Sequence, residues 1–363
     1  MSVNEQKKTT KKVTIKDVAN AAGVSIALVS FAMTNKCDGK KGYRVSKETA
    51  ARILEIADKL HYQPNNAAIA LRSGKTSTIG VILSDISNRF FADIARCIED
   101  YAYKHRYTVL FGSTDENPQK LENLINVFTD KGVDGLIVVP CEGSDAIIRN
   151  VVNKDIPVVL LDREVPDAEV SSVVLNNRRA SAKATAALVE QGFGRIEMIS
   201  YSMTLSNIKE REQGYRDCMN ETGLAEYINI HYLGHGSLHL INDIIVDAKK
   251  RGVEALVFAT NTLAIAGMKA IALNGWHIPS DFAMACFDGN EIFDVYDTAV
   301  TYVCQPIDKF GAESFKLLMK LIENRGERYD CIRVTLAPEV VSGTYDHSAE
   351  SLFHNHLLKR FNK

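Results

Sequence analysis

Two patterns of apolar residues divide the chain near residue 78. Between Val13 and Leu60 apolar residues recur at helical spacing, which predicts three short helices. Beyond residue 78, short and wholly apolar runs alternate with amphipathic stretches, a pattern typical of buried parallel strands joined by crossover helices. The apolar runs lie at 79–83, 108–111, 135–139, 158–161, 196–199, 255–258 and 282–287. The amphipathic stretches lie at about 90–105, 117–131, 178–191, 208–222, 238–250, 261–274 and 308–325.

The first region carries the signals of a helix-turn-helix. Gly23 separates the first two helices where a tight turn is needed, Ser25 can cap the second helix and Ser46 the third. Segment 35–43 is a polar loop that contains glycine, and Pro64 ends the helical region. In such a motif the second helix lies in the major groove and presents its N-terminal side chains to the bases.

Charge separates the same two regions. Residues 1–75 contain 14 Lys and Arg against 6 Asp and Glu, and the remainder contains 29 against 39. The formal net charge of -2 is therefore the sum of +8 in the head and -10 in the body. A basic head on an acidic body indicates that the head contacts a polyanion, although a solvated basic tail would account for the lysines at 7, 8, 11 and 12.

The ordered residues of the head resemble those of the lactose-repressor and purine-repressor family of transcription regulators. Segment 13–30 reads Val-Thr-Ile-Lys-Asp-Val-Ala-Asn-Ala-Ala-Gly-Val-Ser-Ile-Ala-Leu-Val-Ser. The resemblance continues through 45–49 (Val-Ser-Lys-Glu-Thr), 62–65 (Tyr-Gln-Pro-Asn) and 79–81 (Ile-Gly-Val), and more loosely to about residue 345. It implies a repressor that binds operator DNA through its head and a small-molecule effector through its body.

The resemblance places the recognition helix at about 26–34, with Ile26 and Ala27 at base-reading positions. Both side chains can contact thymine methyl groups but cannot make the bidentate hydrogen bonds of Arg or Gln. The sequence departs from the family at Phe31, where Arg is usual, and at Thr34, where Asn is usual, so base readout is expected to differ. The predicted DNA contacts of the helix-turn-helix are Thr14, Ser25, Ile26, Ala27, Ser30, Phe31 and Thr34.

Segment 65–73 follows Pro64 and precedes Gly74, which predicts a short helix. By resemblance this is the hinge helix, which pairs with its dimer mate in the minor groove and inserts a leucine between bases. Leu71 matches that leucine, although it could instead pack against the body as a linker residue. An apolar wedge bends the duplex and brings more protein surface into contact with it. The predicted DNA contacts of this segment are Asn65, Ala68, Leu71 and Arg72.

The resemblance also implies the division of the chain. We expect a disordered basic tail at 1–12, a helix-turn-helix domain at 13–63, a hinge helix and linker at 64–77, an effector-binding domain at 78–346 and a C-terminal tail at 347–363. The body is similar to periplasmic sugar-binding and purine-binding proteins, in which two α/β lobes close on a ligand. Lobe 1 is expected at about 78–175 and 304–334, and lobe 2 at about 176–303 and 335–346.

Effector contacts are expected in the loops that follow the apolar runs, because ligands of open α/β sheets bind beyond the carboxyl ends of strands. By resemblance Phe90 or Phe91 stacks on the ligand, the other packing in the core, while Arg211 and Asp288 grip its polar groups. A guanidinium and a carboxylate that face one cleft suit vicinal hydroxyls or the edge of a heterocycle. Asp162, Asn207 and Asn261 are further candidates. A sugar or sugar derivative is the favoured effector, and a purine is the alternative.

The family implies a mechanism in which effector binding changes lobe closure and thereby the approach of the two hinge helices in a dimer. The sequence is compatible with either sign, release from DNA or recruitment to it. The segment 348–363 is too short for the several heptads of a tetramerising coiled coil, so a homodimer is expected.

Two other functions compete with regulation. A sugar-active enzyme would suit the α/β body, but the sequence lacks the common nucleotide-binding, hydrolase and metalloprotease motifs. His231, His235 and His239 cross a glycine-containing stretch and are not expected to bind a metal, and no cofactor is predicted. A cytosolic sugar-binding protein would not need the basic head. Seven scattered cysteines and a polar, lysine-rich start without a signal peptide indicate a cytoplasmic protein.

Overall fold

The structure is a computed structural model that describes residues 13–33, 45–63, 74–234, 236–289, 293, 300–326 and 330–343. The chain forms two compact units, Met1–Thr76 and Ser77–Lys363, which we call the head and the body. The predicted fold class, a helical head followed by a two-lobed α/β body, is confirmed. The tails predicted at 1–12 and 347–363 and the hinge helix lie outside the described residues.

The head is built from three short helices around a small core. They are α1 (Ile15–Ala22), α2 (Ile26–Met33) and α3 (Lys47–Lys59). Val18, Val29 and Ile53 contribute one buried side chain from each helix. Because each helix is too short to be stable alone, this shared apolar contact is what holds it in the helical state.

Local signals fix the ends of these helices. Gly23 adopts the left-handed conformation (φ 63°) that closes α1, and the Val24 amide donates to the Ala19 carbonyl at 3.0 Å, as in a Schellman turn. Ser25 Oγ accepts the amide of Leu28 at 3.3 Å, and Ser46 Oγ accepts that of Thr49 at 3.1 Å. Both serine caps predicted from the sequence are therefore confirmed.

The body contains two six-stranded sheets with the same strand order. Sheet 1 comprises β1 (Thr78–Leu83), β2 (Thr108–Ser113), β3 (Gly135–Val138), β4 (Val158–Leu161), β5 (Ser171–Leu175) and β11 (Arg333–Leu336). Sheet 2 comprises β6 (Ile196–Tyr201), β7 (Ile230–Leu233), β8 (Ala255–Phe258), β9 (Ala283–Phe287), β10 (Val300–Cys304) and β12 (Glu339–Val341). Sheet 1 runs β11-β5-β4-β3-β1-β2 and sheet 2 runs β12-β10-β9-β8-β6-β7. All neighbouring pairs are parallel except β10 and β12.

Helices cover both faces of each sheet, as parallel sheets require. Lobe 1 carries α4 (Arg89–Lys104), α5 (Pro118–Asp130), α6 (Asp145–Val152) and α11 (Ile307–Glu323). Lobe 2 carries α7 (Asn177–Glu190), α8 (Ser206–Glu221), α9 (Ile241–Lys250) and α10 (Asn261–Leu273). Alternate residues of one strand enter different cores: Val81 of β1 lies in the larger apolar cluster and Ile82 in the cluster beneath α5 and α6.

The chain passes between the lobes three times, after β5, after β10 and between β11 and β12. These short crossings bring the carboxyl ends of the two sheets to face each other across one cleft. Among the described residues, no single helix is long and apolar enough to span a membrane, and only α1 with α2, bent by 105°, passes such a test as a pair. The six described cysteines are free thiols.

Candidate DNA-binding and effector-binding sites

The second helix of the head exposes its first turn. Ser25, Ile26 and Ala27 are exposed, and Ile26 keeps 47% of its surface accessible, whereas Val29 and Ala32 face the head's core. An exposed isoleucine costs stability in water, and contact with a thymine methyl would remove it from solvent. The exposed turn is thus the part of α2 that can meet base edges.

Other predicted DNA contacts are placed differently or lie outside the described part. Thr14 is exposed but caps α1, its Oγ1 accepting the amide of Asp17 at 3.4 Å. Ser30 and Phe31 are half-buried. Outside the described residues lie Thr34, Asn65, Ala68, Leu71 and Arg72.

Two aspartates occupy equivalent places in the two lobes. Asp162 directly follows β4, and its amide donates to Val173 of β5 at 2.9 Å. Asp288 directly follows β9, and its amide donates to Val303 of β10 at 3.0 Å. Both have a left-handed backbone, with φ of 67° and 64°, which turns the chain sharply at the strand end. The shared topology therefore places one carboxylate from each lobe at the cleft.

Asp162 is 3% exposed, and one of its two carboxylate oxygens has no partner among the described residues. Its Oδ2 accepts the side-chain amide of Asn207 at 3.0 Å, a bond that joins lobe 1 to the first turn of α8. Its Oδ1 has no hydrogen-bond partner among the described residues. Burial raises the pKa of this carboxyl. A buried acceptor without a donor is costly, so the geometry favours a ligand that donates a hydrogen bond here.

Arg211 reaches the same cleft from α8. Its Nε donates to Asn177 Oδ1 at 2.8 Å and its Nη1 to the Ala259 carbonyl at 2.7 Å, while the guanidinium lies 3.8 Å from the centre of the Phe287 ring. The side chain is 3% exposed. Burial lowers its pKa, opposed by the charges of Asp162 and Asp288. Within the described residues Nη2 has no hydrogen-bond partner, so it is the donor best placed for a ligand.

Asp288 is paired with a residue that sequence reasoning missed. Gln305 Nε2 donates to Asp288 Oδ1 at 2.6 Å, and Gln305 Oε1 is buried with no partner among the described residues. Burial raises the pKa of Asp288 to about 6, against the lowering effects of Arg211 and Gln305. This carboxylate is ionised at neutral pH, but only narrowly.

The two predicted stacking residues, Phe90 and Phe91, are both buried, at 7% and 5% exposure. Phe90 packs edge-on against Phe310 of α11, with 5.8 Å between ring centres. Phe91 lies 6.0 Å from the guanidinium of Arg163, the residue after Asp162. Phe90 thus belongs to the core of lobe 1, and Phe91 is the aromatic nearer to the polar cluster.

Arg163 is itself paired, with Glu116 and the Pro140 carbonyl. Asn261, the last candidate, begins α10 and is 8% exposed. It lines a groove of about 700 Å³ between loop residues 85–89 of lobe 1 and helices α9 and α10 of lobe 2.

The structure therefore gathers Asp162, Asn207, Arg211 and Asp288, and Asn261 lies on this groove. Sequence reasoning missed Glu116, Arg163, Asn177 and Gln305. A signal for two of them was adjacency, since Arg163 follows Asp162 and Gln305 follows β10.

Comparison with known proteins yields two family matches. Residues 14–65 match the family described as bacterial regulatory proteins, lacI family. Residues 76–342 match the family described as periplasmic binding proteins and sugar binding domain of LacI family. Together these matches span both units of the chain.

Similar individual proteins are also regulators. The chain is 29% identical to the HTH-type transcriptional regulator DegA of Bacillus subtilis, covering 91% of this chain and 97% of the relative. It is 32% identical to the ribose operon repressor of Halalkalibacterium halodurans, covering 86% and 91%. A crystal structure of a putative ribose operon repressor from Burkholderia thailandensis matches at 27% identity with a TM-score of 0.66, covering 73% and 99%.

The lac repressor dimer bound to operator matches over 92% of this chain and 98% of that one, with a TM-score of 0.77 at 20% identity, and so supports the fold. The matched proteins are transcription regulators and not enzymes. With its head and body matched to two parts of one architecture, the chain belongs to the LacI family of bacterial regulatory proteins, as a DNA-binding transcriptional repressor with an effector-binding domain.

Proposed function

We propose that this dimeric repressor is controlled by an uncharged monosaccharide or a close derivative, bound between the two lobes. The observation that carries the proposal is the set of buried acceptors at the cleft. Asp162 Oδ1 and Gln305 Oε1 have no donors among the described residues, and Asp288 stands beside Arg211. A ring bearing several hydroxyl donors satisfies such acceptors, and the guanidinium can donate back to its oxygens.

The DNA-binding role of individual residues rests on the exposed first turn of α2 and on the resemblance of the hinge segment. Ile26 and Ala27 offer apolar contacts to thymine methyls, and Leu71 is proposed as the minor-groove wedge. Because these side chains supply few hydrogen bonds to bases, DNA deformability contributes to operator choice. We place the protein in the cytoplasm, where a regulator meets chromosomal DNA.

Effector and operator are linked through the closure of the lobes. A coupling of about 1 to 3 kcal/mol would change operator affinity about 5- to 150-fold, and the operator would change effector affinity by the same factor. Asp162 belongs to lobe 1 and Asn207 to lobe 2, so a ligand that contacts both side chains stabilises the closed arrangement of the lobes.

The test is a thermal-shift screen of the purified protein against free pentoses, free hexoses and purine bases, because a ligand of the native state raises the unfolding temperature. A free sugar is expected to raise it and to change the anisotropy of labelled operator DNA. Stabilisation by purines alone would contradict the proposal. Leu71→Ala is expected to weaken operator binding and leave the sugar-induced shift unchanged.

A further inference from the structure

A largely buried ion pair joins Glu116 to Arg163. Glu116 Oε1 accepts from Nη2 at 2.7 Å and Oε2 from Nη1 at 2.9 Å, the bidentate geometry of a strong pair. Nη1 also donates to the Pro140 carbonyl at 2.9 Å. The two side chains are only 13% and 9% exposed. Glu116 and Pro140 therefore occupy both hydrogens of Nη1 and one of Nη2, whereas the buried Nε has no hydrogen-bond partner among the described residues.

The pair faces the cleft and not the interior of one lobe. Arg163 directly follows Asp162, and its Nε lies 3.6 Å from Asp162 Oδ2. Burial and, from across the cleft, the negative charge of Glu116 raise the pKa of Tyr201, which ends β6 in lobe 2. A ligand between the lobes would therefore be exposed to the charge of Glu116.

Three carboxyl groups, those of Glu116, Asp162 and Asp288, cluster with the guanidinium groups of Arg163 and Arg211. To use the Nη1 and Nη2 donors of Arg163, a phosphate or carboxylate ligand would have to displace Glu116 and approach two more carboxyl groups. A neutral polyol meets neither obstacle.

We propose that Glu116 is a specificity-determining residue: by pairing with the two terminal nitrogens of Arg163, it excludes phosphorylated and other anionic sugars from the effector cleft and admits neutral ones. This inference rests on the proposed effector site. It deepens that site by giving it a selection against charge, which a cleft with two arginines would not otherwise show.

The experiment compares D-ribose with D-ribose 5-phosphate and D-glucose with D-glucose 6-phosphate, by calorimetric titration of the full chain. In the wild type the phosphorylated sugars are expected to bind at least about 100-fold more weakly than the free sugar that binds best. In Glu116→Gln, which keeps the side-chain size, affinity for a phosphorylated sugar is expected to rise at least about tenfold, with less than about threefold change for the free sugar.

Two further variants isolate the cause. The double variant E116Q/R163Q is expected to lose the gain, because Arg163 supplies the donors that a phosphate uses. Glu122→Gln, on the exposed side of α5, removes an equal charge outside the cleft and is expected to leave both affinities unchanged.

The wild-type protein tests the inference even where a variant fails to fold, since phosphorylated and free sugars binding equally well would overturn it. An unchanged preference in folded E116Q would also overturn it. If no free sugar binds the wild type, the proposed function fails; a gain of phosphorylated-sugar binding in E116Q would then still support Glu116 as the anion barrier, and no gain would overturn it.

Discussion

The two lobes repeat one strand order but treat their strand-end aspartates differently. In lobe 1, Asp162 accepts a hydrogen bond from Asn207 of the other lobe. It lies beside Arg163, whose charge is paired with that of Glu116. In lobe 2, Asp288 is bonded to Gln305 and lies near Arg211, which is held by a neutral amide and a carbonyl. The two equivalent strand-end carboxyl groups therefore lie beside arginines with different hydrogen-bond partners.

The difference shows that topology fixes where the carboxylates lie, while their neighbours decide what each lobe can offer a ligand. Arg163 forms a bidentate ion pair, whereas Arg211 has only neutral hydrogen-bond partners among the described residues. In our proposal, lobe 2 therefore binds the effector through Arg211, and lobe 1 selects against charged effectors through Glu116.

The largest expected effect separates the two arginines. Arg211→Met should weaken binding of the free-sugar effector about 100-fold, equivalent to about 3 kcal/mol, because a buried charged donor is lost. Arg163→Met should destabilise the body by leaving Glu116 buried and unpaired, yet change sugar affinity less than about tenfold. Calorimetric titration and urea unfolding measure the two quantities. Arg178→Met, which removes a 60% exposed charge on α7, is the control. Equal affinity losses in both variants would contradict the division of roles.

A second prediction concerns the effect of the Asp288 carboxylate on the free energy of unfolding. The pKa of Asp288 is about 6 in the folded protein, above its ordinary value of 3.8, so ionisation of this group lowers the free energy of unfolding as the pH rises from 3.8 to about 6, with the full cost present above that pH. Asp288→Asn should raise the free energy of unfolding at pH 7.5 by about 2 kcal/mol, allowing for partial exposure to the cleft, and should weaken sugar binding about tenfold. The stabilisation should disappear as the pH falls to 4, where the wild-type carboxyl is protonated. A destabilised variant at pH 7.5 would refute this interpretation.

A third prediction uses the same group without mutation. If the ionised Asp288 accepts hydrogen bonds from the sugar, affinity should fall about tenfold between pH 7.5 and pH 5, because a group of pKa about 6 is then about nine-tenths protonated. Titration at several pH values measures the effect, and Asp288→Asn should flatten most of it. Constant wild-type affinity across this range would argue against a role for Asp288 in binding.

The smallest expected effect is at the rim. Glu142 Oε1 of lobe 1 accepts both the amide and the hydroxyl of Thr204 in lobe 2, at 2.8 and 2.9 Å. Because this contact is exposed, Glu142→Gln should weaken sugar affinity only about 2- to 5-fold, through a less stable closed arrangement. Glu122→Gln serves as the matched control. A loss greater than about tenfold would mean that the rim, and not the two aspartates, governs closure.

Much of the fold followed from apolar runs because the central strands are buried on both faces. β4 and β8 have the bounds that the runs at 158–161 and 255–258 predicted. Strands outside these runs were harder to recognise. The buried β5 begins with two serines, and β7, β11 and β12 lie at sheet edges where part of each strand is exposed, so none of them is a continuous apolar run.

The site was predictable only where position along a strand was sufficient. Asp162 and Asp288 follow apolar runs directly, so their convergence at the carboxyl ends could be expected from the sequence. The partners could not, because Glu116 and Arg163 are 47 residues apart and meet only through the parallel pairing that orders sheet 1. Which of Phe90 and Phe91 packs on α11 likewise depends on tertiary contacts.

The left-handed backbone at Asp162 and Asp288 limits how this repressor can acquire new effectors. Asn and Gly are the residues that share Asp's tolerance of that conformation, so most single substitutions there would strain the turn before they changed the ligand. Changes of effector specificity are therefore expected at neighbouring residues with ordinary backbone conformations, such as Arg163 and Gln305. A library for redirecting the effector response should hold the two aspartates constant and diversify the side chains beside them.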